Sequence, residues 1–212
     1  AMPAAPAAAG SVIRLNPGAS NQWVVSGAHT ATGKPLLAND THMAVAMPAI
    51  WYQVHLEGGR YHVAGVSLPG VPGVLVGHNQ RCAWGLTTAW QDAQDLFIER
   101  INPANPAEYE FQGQWRSIQT VQEVIAVKGR AKPEVVEVRL THHGPLVNEL
   151  MGESAPLALR WVALDQTDML GAVLGYGRAG NWQEFRAALV SWAAPAHNFV
   201  YADVDGHIAY FQ

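Results

Sequence analysis

The sequence predicts an α+β protein that is mostly β. Short apolar or β-branched runs at 23–26, 35–38, 50–56, 61–67 and 74–76 are separated by Gly, Pro, Asn or Asp, the mark of successive strands. Helical periodicity is confined to the region after Asp165. Hydrophobic residues make up 49% of the chain and charged residues 14%, so it can bury a sizeable core. No internal repeat is visible.

Taken in order, residues 1–10 are nearly all Ala and Pro and offer little to bury, so they read as an arm. Residues 11–19 continue as linker, with Pro17-Gly18 as a turn signal, which makes 1–19 a spacer and 20–212 the folded part. Ser20 follows the small residues Gly18 and Ala19 and precedes the apolar run Trp23, Val24, Val25. That is a polar turn before a strand, or the place where a self-cleaving hydrolase would carry its nucleophile.

Gly58-Gly59 predicts a hairpin turn and 69–73 a tight loop. Further strands are predicted at 83–86, 96–101, 118–127, 135–140 and 157–162, with 103–115 as a loop rich in Pro, Asn and Gly. A short helix over 169–174 is expected to end at Gly175. Asn181 caps a second: Glu184 stands at the capping-box spacing, and Trp182, Phe185 and Leu189 share a face. Runs at 199–202 and 207–211 form a last hairpin across Asp203-Val204-Asp205-Gly206. The chain stops within that pattern at Gln212, which leads us to expect a piece of a longer protein.

Net charge −4, with thirteen scattered Lys and Arg, argues against a nucleic-acid partner. One cysteine, Cys82, excludes an internal disulfide and reads as a small buried residue. No apolar run approaches the ~20 residues that span a bilayer, so no membrane partner is expected, and no signal peptide is visible.

Eight segments then stand in a telling order: Ser20-Asn21-Gln22-Trp23, 36–42 (Leu-Leu-Ala-Asn-Asp-Thr-His), 51–56, 68–73, Gly77-His78-Asn79, 83–87, 92–97 and 195–206. Together they resemble the start of the β-subunit in the penicillin acylase (penicillin amidase) family, which includes cephalosporin acylases and acyl-homoserine lactone acylases. The resemblance runs from Gly18 to Gln212. It implies the four-layer αββα sandwich of N-terminal nucleophile hydrolases, of which this chain is a mostly β, truncated part. It also implies a precursor, or zymogen, that cuts itself between Ala19 and Ser20. The α-subunit of that precursor would be a partner, a penicillin, an acyl-homoserine lactone or a similar amide the substrate, and the periplasm or exterior the location.

The chemistry suits that cut. A serine hydroxyl needs a base to take its proton, and a freed α-amine, with a pKa of about 7.7–8.0, supplies one in the same residue. By resemblance His42 helps position the amine and the oxyanion, and the backbone N–H of Thr88 is one oxyanion donor. The other donor, an asparagine supported by an arginine, would lie beyond Gln212, so the piece alone is expected to be inactive and its uncovered faces could pair in a homo-oligomer. His55, His78, His142, His143, His197 and His207 have no comparable claim.

Asp92 and Asp95, three apart, can offer oxygens to a hard cation. The resemblance adds the carbonyls of Gln94 and Pro195 and names the ion as structural Ca²⁺. Asp203 to Gly206 lacks the glutamate of a calcium loop and reads as a turn. Met43, Leu75, Val76 and Leu86 are the candidate acyl pocket, or equally core. Two other readings stand beside this one. An ordinary Ser-His-Asp hydrolase finds no Gly-x-Ser-x-Gly elbow here. A calcium-dependent β-rich binding module would use the eight Trp as its surface.

Overall fold

The structure, a computed structural model, describes residues 19–165 and 167–212, so the predicted spacer lies outside the described residues except for Ala19. In chain order the elements are β1 (Ser20–Val25), β2 (Leu36–Thr41), β3 (Tyr52–Gly58), β4 (Tyr61–Ser67), β5 (Val76–His78) and β6 (Cys82–Thr88). Then come β7 (Gln94–Ile98), β8 (Ile101–Asn102), β9 (Asn105–Phe111), β10 (Gln114–Ser117), β11 (Gln119–Ile125), β12 (Glu134–Leu140), α1 (Asn148–Met151) and β13 (Leu157–Trp161). The last four are α2 (Met169–Gly177), α3 (Trp182–Leu189), β14 (His197–Asp203) and β15 (Ile208–Phe211). The described residues form two compact units, 19–89 with 168–192 and 197–212, and 90–165 with 167 and 193–196.

The first unit is built on a six-stranded antiparallel sheet in the order β15-β14-β6-β5-β4-β3. Side chains alternate across a strand, so Trp84 and Leu86 of β6 point one way and Gly85 the other. On the Trp84 side, α2 and α3 cover the sheet. Trp84 is fully buried, meets the edge of Tyr176 at 5.5 Å and leans on Phe185 at 6.0 Å. Its indole N–H donates to the carbonyl of Leu75 at 3.1 Å, so the ring is buried without an orphaned polar group. On the Gly85 side lies the β1–β2 pair. A Cβ at Gly85 would stand 2.8 Å from that of Asn39, so the missing side chain is what lets β2 approach. Helices, sheet and second sheet are three of the four layers that the resemblance implies.

Cys82 is buried, as expected. Its thiol lies 3.3 Å from the carbonyl of Ala179 and 3.2 Å from the Tyr201 hydroxyl, which in turn donates to Asp203. Burial pushes the thiol pKa up, with the Tyr201 hydrogen bond opposing. The final hairpin forms as predicted, and Asp203 Oδ1 accepts the N–H groups of Asp205 and His207 that close its turn.

α3 carries the predicted cap. Asn181 Oδ1 accepts the Glu184 N–H at 2.9 Å, and Glu184 reaches back to the N–H of Gly180 at 2.8 Å. Asn181→Ala is therefore expected to lower stability by about 1 kcal/mol, read as a shift in urea midpoint at constant slope. An unchanged midpoint would show that the cap bond is idle. α2 corrects the reading that Gly175 stops it, since the helix runs on to Gly177. Gly175 is there for packing instead: a Cβ would lie 2.8 Å from that of Ala188 on α3.

The second unit is a set of small antiparallel sheets, β7–β13, β8–β9–β10 and β11–β12. The predicted loop 103–115 is a correction, because it folds as β9 and β10 around a Gln112-Gly113 turn with both residues at positive φ, 52° and 74°. Pro106 concealed this strand. It sits where the β8–β9 register shifts from Asn105 to Tyr109, so its missing N–H breaks no ladder bond. α1 corrects the restriction of helix to the region after Asp165. With four residues it has no periodicity to read, and Gly152 ends it at φ 71°.

Candidate active site

β1, β2, β6 and β14, all in the first unit, gather the residues around Ser20. Of the two readings of Ser20, the polar turn does not form: this residue is the first of β1 and pairs with Thr41, placing Asn21 opposite Asp40 and Gln22 opposite Asn39. The ladder continues one bond outward, where the His42 N–H donates to the carbonyl of Ala19 at 2.9 Å. Ser20 thus follows a peptide whose oxygen is already engaged by a backbone donor.

Opposed residues of an antiparallel pair share a face, which groups Ser20 with Thr41, Gln22 and Asn39. That face is tied to the large sheet. Gln22 donates to the Asn198 carbonyl at 3.0 Å, and the Asn39 amide brackets Leu86, donating to its carbonyl at 2.9 Å and accepting its N–H at 3.4 Å. The Ser20 hydroxyl has no hydrogen-bond partner among the described residues.

His42 follows β2 and belongs to the opposite face, with Asp40 and Asn21. Its Nε2 lies 2.9 Å from Asp40 Oδ2 and 3.3 Å from Asn21 Nδ2. The Asp40 side chain is 75% exposed, so this pair orients the ring more than it stabilises the fold. The structure brings the His42 backbone to the peptide before Ser20. Among the described residues, no hydrogen bond joins the imidazole to the Ser20 hydroxyl.

Thr88 ends β6 opposite His197 and is exposed. Asn198 Nδ2 donates to Thr87 Oγ1 at 3.2 Å and to the Thr88 carbonyl at 3.4 Å, and the Tyr210 hydroxyl donates to Asn198 Oδ1. Three of the four candidate pocket residues share the core of the first unit, where Val76 packs against the cluster that holds Leu75 and Leu86. Leu75 and Leu86 are buried in the core with Trp84 and Tyr176, while Met43 is exposed and Val76 half-buried at the start of β5.

Asp92 and Asp95 are exposed in the second unit, Gln94 opens β7, and 193–196, which holds Pro195, belongs to the same unit. Arg160, opposite Asp95, is bound bidentately by Asp165 at 2.8 and 2.9 Å. These oxygens suit Ca²⁺ in kind, and further ligands would be needed to reach six to eight.

Sequence reasoning passed over Asp40, Asn39 and Asn198. Asp40 was readable, because two residues before His42 on one strand means one face. Asn39 shows its role only once Gly85 is known to lie beneath it. Asn198 meets Gln22 from 176 positions away, and no local pattern records that.

Residues 2–212 match the model of the penicillin amidase family. An acyl-homoserine lactone acylase of Pseudomonas fluorescens (strain Pf0-1) is 35% identical over 189 residues, covering 87% of this chain and 23% of its own. Penicillin acylase 2 proenzyme of Pseudomonas sp. (strain SE83) is 32% identical over 195 residues, covering 91% of this chain and 25% of its own. The solved thermostable penicillin G acylase from Alcaligenes faecalis superposes with a TM-score of 0.76 at 29% identity, over 89% of this chain and 34% of that one. The chain thus spans about a quarter of the length of these curated relatives.

Proposed function

Since the chain belongs to the penicillin amidase family, we propose that it is part of an amide hydrolase whose nucleophile, Ser20, is freed by self-cleavage of the Ala19–Ser20 peptide. The observation that carries this is the bond from the His42 N–H to the Ala19 carbonyl at 2.9 Å. A donor aimed at that oxygen stabilises the negative charge that grows there under attack.

Ser20 Oγ attacks the Ala19 carbonyl carbon, the C–N bond breaks, the nitrogen takes the hydroxyl proton, and water hydrolyses the resulting ester. The α-amine left on Ser20 is then the base. In turnover it takes the Oγ proton through one water, Oγ forms an acyl-enzyme with the substrate, the leaving amine receives the proton, and water releases the acid. The Thr88 N–H and, by resemblance, a distal asparagine receive the oxyanion. His42, oriented by Asp40 and Asn21, positions the amine.

The substrate class follows the relatives, one named for acyl-homoserine lactones and one for penicillin. Met43 and Val76 remain the accessible apolar candidates for acyl contact. Asp92, Asp95 and the carbonyls of Gln94 and Pro195 would hold a structural Ca²⁺. An α-subunit from the same precursor, a periplasmic or secreted location, and inactivity of this piece by itself complete the reading.

Intact mass of the full-length precursor tests it. Two chains, the larger beginning at Ser20, are expected. A protein that hydrolyses amides as one uncut chain would sink the mechanism.

A further inference from the structure

Glu99, His142 and His143 in the second unit are used by none of the chemistry above. One ligand atom from each comes together, all within 4.8 Å of one another. Glu99 follows β7, and its side chain is only 4% exposed, with Oε1 2.9 Å from His143 Nδ1. The two imidazoles are adjacent, their centroids 3.7 Å apart. We propose that Glu99, His142 and His143 form a binding site for a divalent transition metal of the zinc class.

The shell around the three groups is built to hold them. Phe97 stacks on His143 at 3.8 Å between centroids, and Phe111 meets His142 edge-on at 4.1 Å. The backbone N–H of His142 donates to the Tyr109 hydroxyl at 3.0 Å, and the backbone N–H of His143 donates to Thr141 Oγ1 at 3.2 Å. Gly144 keeps the turn tight, since a Cβ there would collide with the Leu159 carbonyl at 2.1 Å. Both histidines line an open cavity of about 480 Å³, which gives an ion and its waters access.

The distances suit the ion. Zn–N and Zn–O bonds of about 2.0–2.2 Å at a tetrahedral angle put ligand atoms roughly 3.3–3.5 Å apart. The His143–Glu99 pair need open by only about half an ångström, and the exposed His142 ring can close the rest by rotation. Two imidazoles and one carboxylate leave a fourth position for water or an outside donor. On binding, the three ligands replace waters that the ion gives up to solvent, and His143 takes the tautomer with its proton on Nε2, which leaves Nδ1 free to coordinate. The ligands are borderline and nitrogen-rich, unlike the all-oxygen set of Asp92 and Asp95, so the two sites should discriminate between cations.

Titration of the purified chain with Co²⁺ is the test, read by visible d–d absorption and followed by Zn²⁺ displacement. One ion per chain is expected, with Zn²⁺ displacing Co²⁺ and excess Ca²⁺ failing to do so. His142→Ala and His143→Ala should each weaken binding at least ~100-fold, beyond the 10–100-fold typical of outer-shell partners. His55→Ala and His78→Ala should leave it unchanged. His142 is exposed, so its variant should fold, and a near-ultraviolet circular dichroism spectrum checks this. Absence of stoichiometric binding, displacement by Ca²⁺, or binding that survives in both the His142 and His143 variants would overturn the proposal.

Discussion

Ser20→Ala in the full-length precursor is expected to give a single uncut chain, with amide hydrolysis lowered about 10⁶-fold, the scale seen when a catalytic serine is removed. Both effects share one cause. In the proposed mechanism the same hydroxyl attacks the Ala19 carbonyl and later the substrate, so its loss would remove the cut, and without the cut there would be no α-amine to act as base. The fold should survive, because Ser20 is held by the β1–β2 ladder and its side chain has no hydrogen-bond partner among the described residues. Intact mass and steady-state kinetics check the two effects separately. A variant that is still cut, or keeps activity within tenfold, would move the nucleophile elsewhere.

Trp84→Ala should cost about 3–5 kcal/mol, the range for truncating a large buried aromatic side chain. Three losses combine here. The ring is fully buried, its contacts with Tyr176 and Phe185 join sheet to helices, and its N–H satisfies the Leu75 carbonyl. Removing it opens a cavity and orphans a buried acceptor. Trp90, 74% exposed, supplies the contrast, and its truncation should stay within about 0.5 kcal/mol. Urea denaturation followed by circular dichroism measures both, and a Trp84 variant losing less than 1 kcal/mol would show that the core closes around the gap.

What could be read from sequence divides along physical lines. Elements carried by local chemistry were visible: the capping box at Asn181 and Glu184, the Asp203 turn, and the strand over 61–67, whose limits agree with those observed. Elements set by distant partners were hidden. The Pro, Asn and Gly of 103–115 predict a loop, because the register shift that tolerates Pro106 depends on another strand, and Gly175 predicts a stop because Ala188 lies on another helix. The same division runs through the candidate site. The order of short segments pointed to Ser20 and His42, whereas Asn39 and Asn198 depend on strands far along the chain. Glu99 and the two histidines stand 43 and 44 positions apart, too far for any spacing rule to join them.

The concealment of Cys82 has a use in measurement. Thiol reagents attack the thiolate, and this one is shut away between sheet and helix with its ionisation suppressed. Modification must therefore wait for the sheet to part from α2 and α3, and its rate counts those openings. With one sulfhydryl in the chain, each molecule reports a single event at a known place. The residue that seemed least informative is thus a built-in clock for how often the layer beneath the candidate active site comes apart.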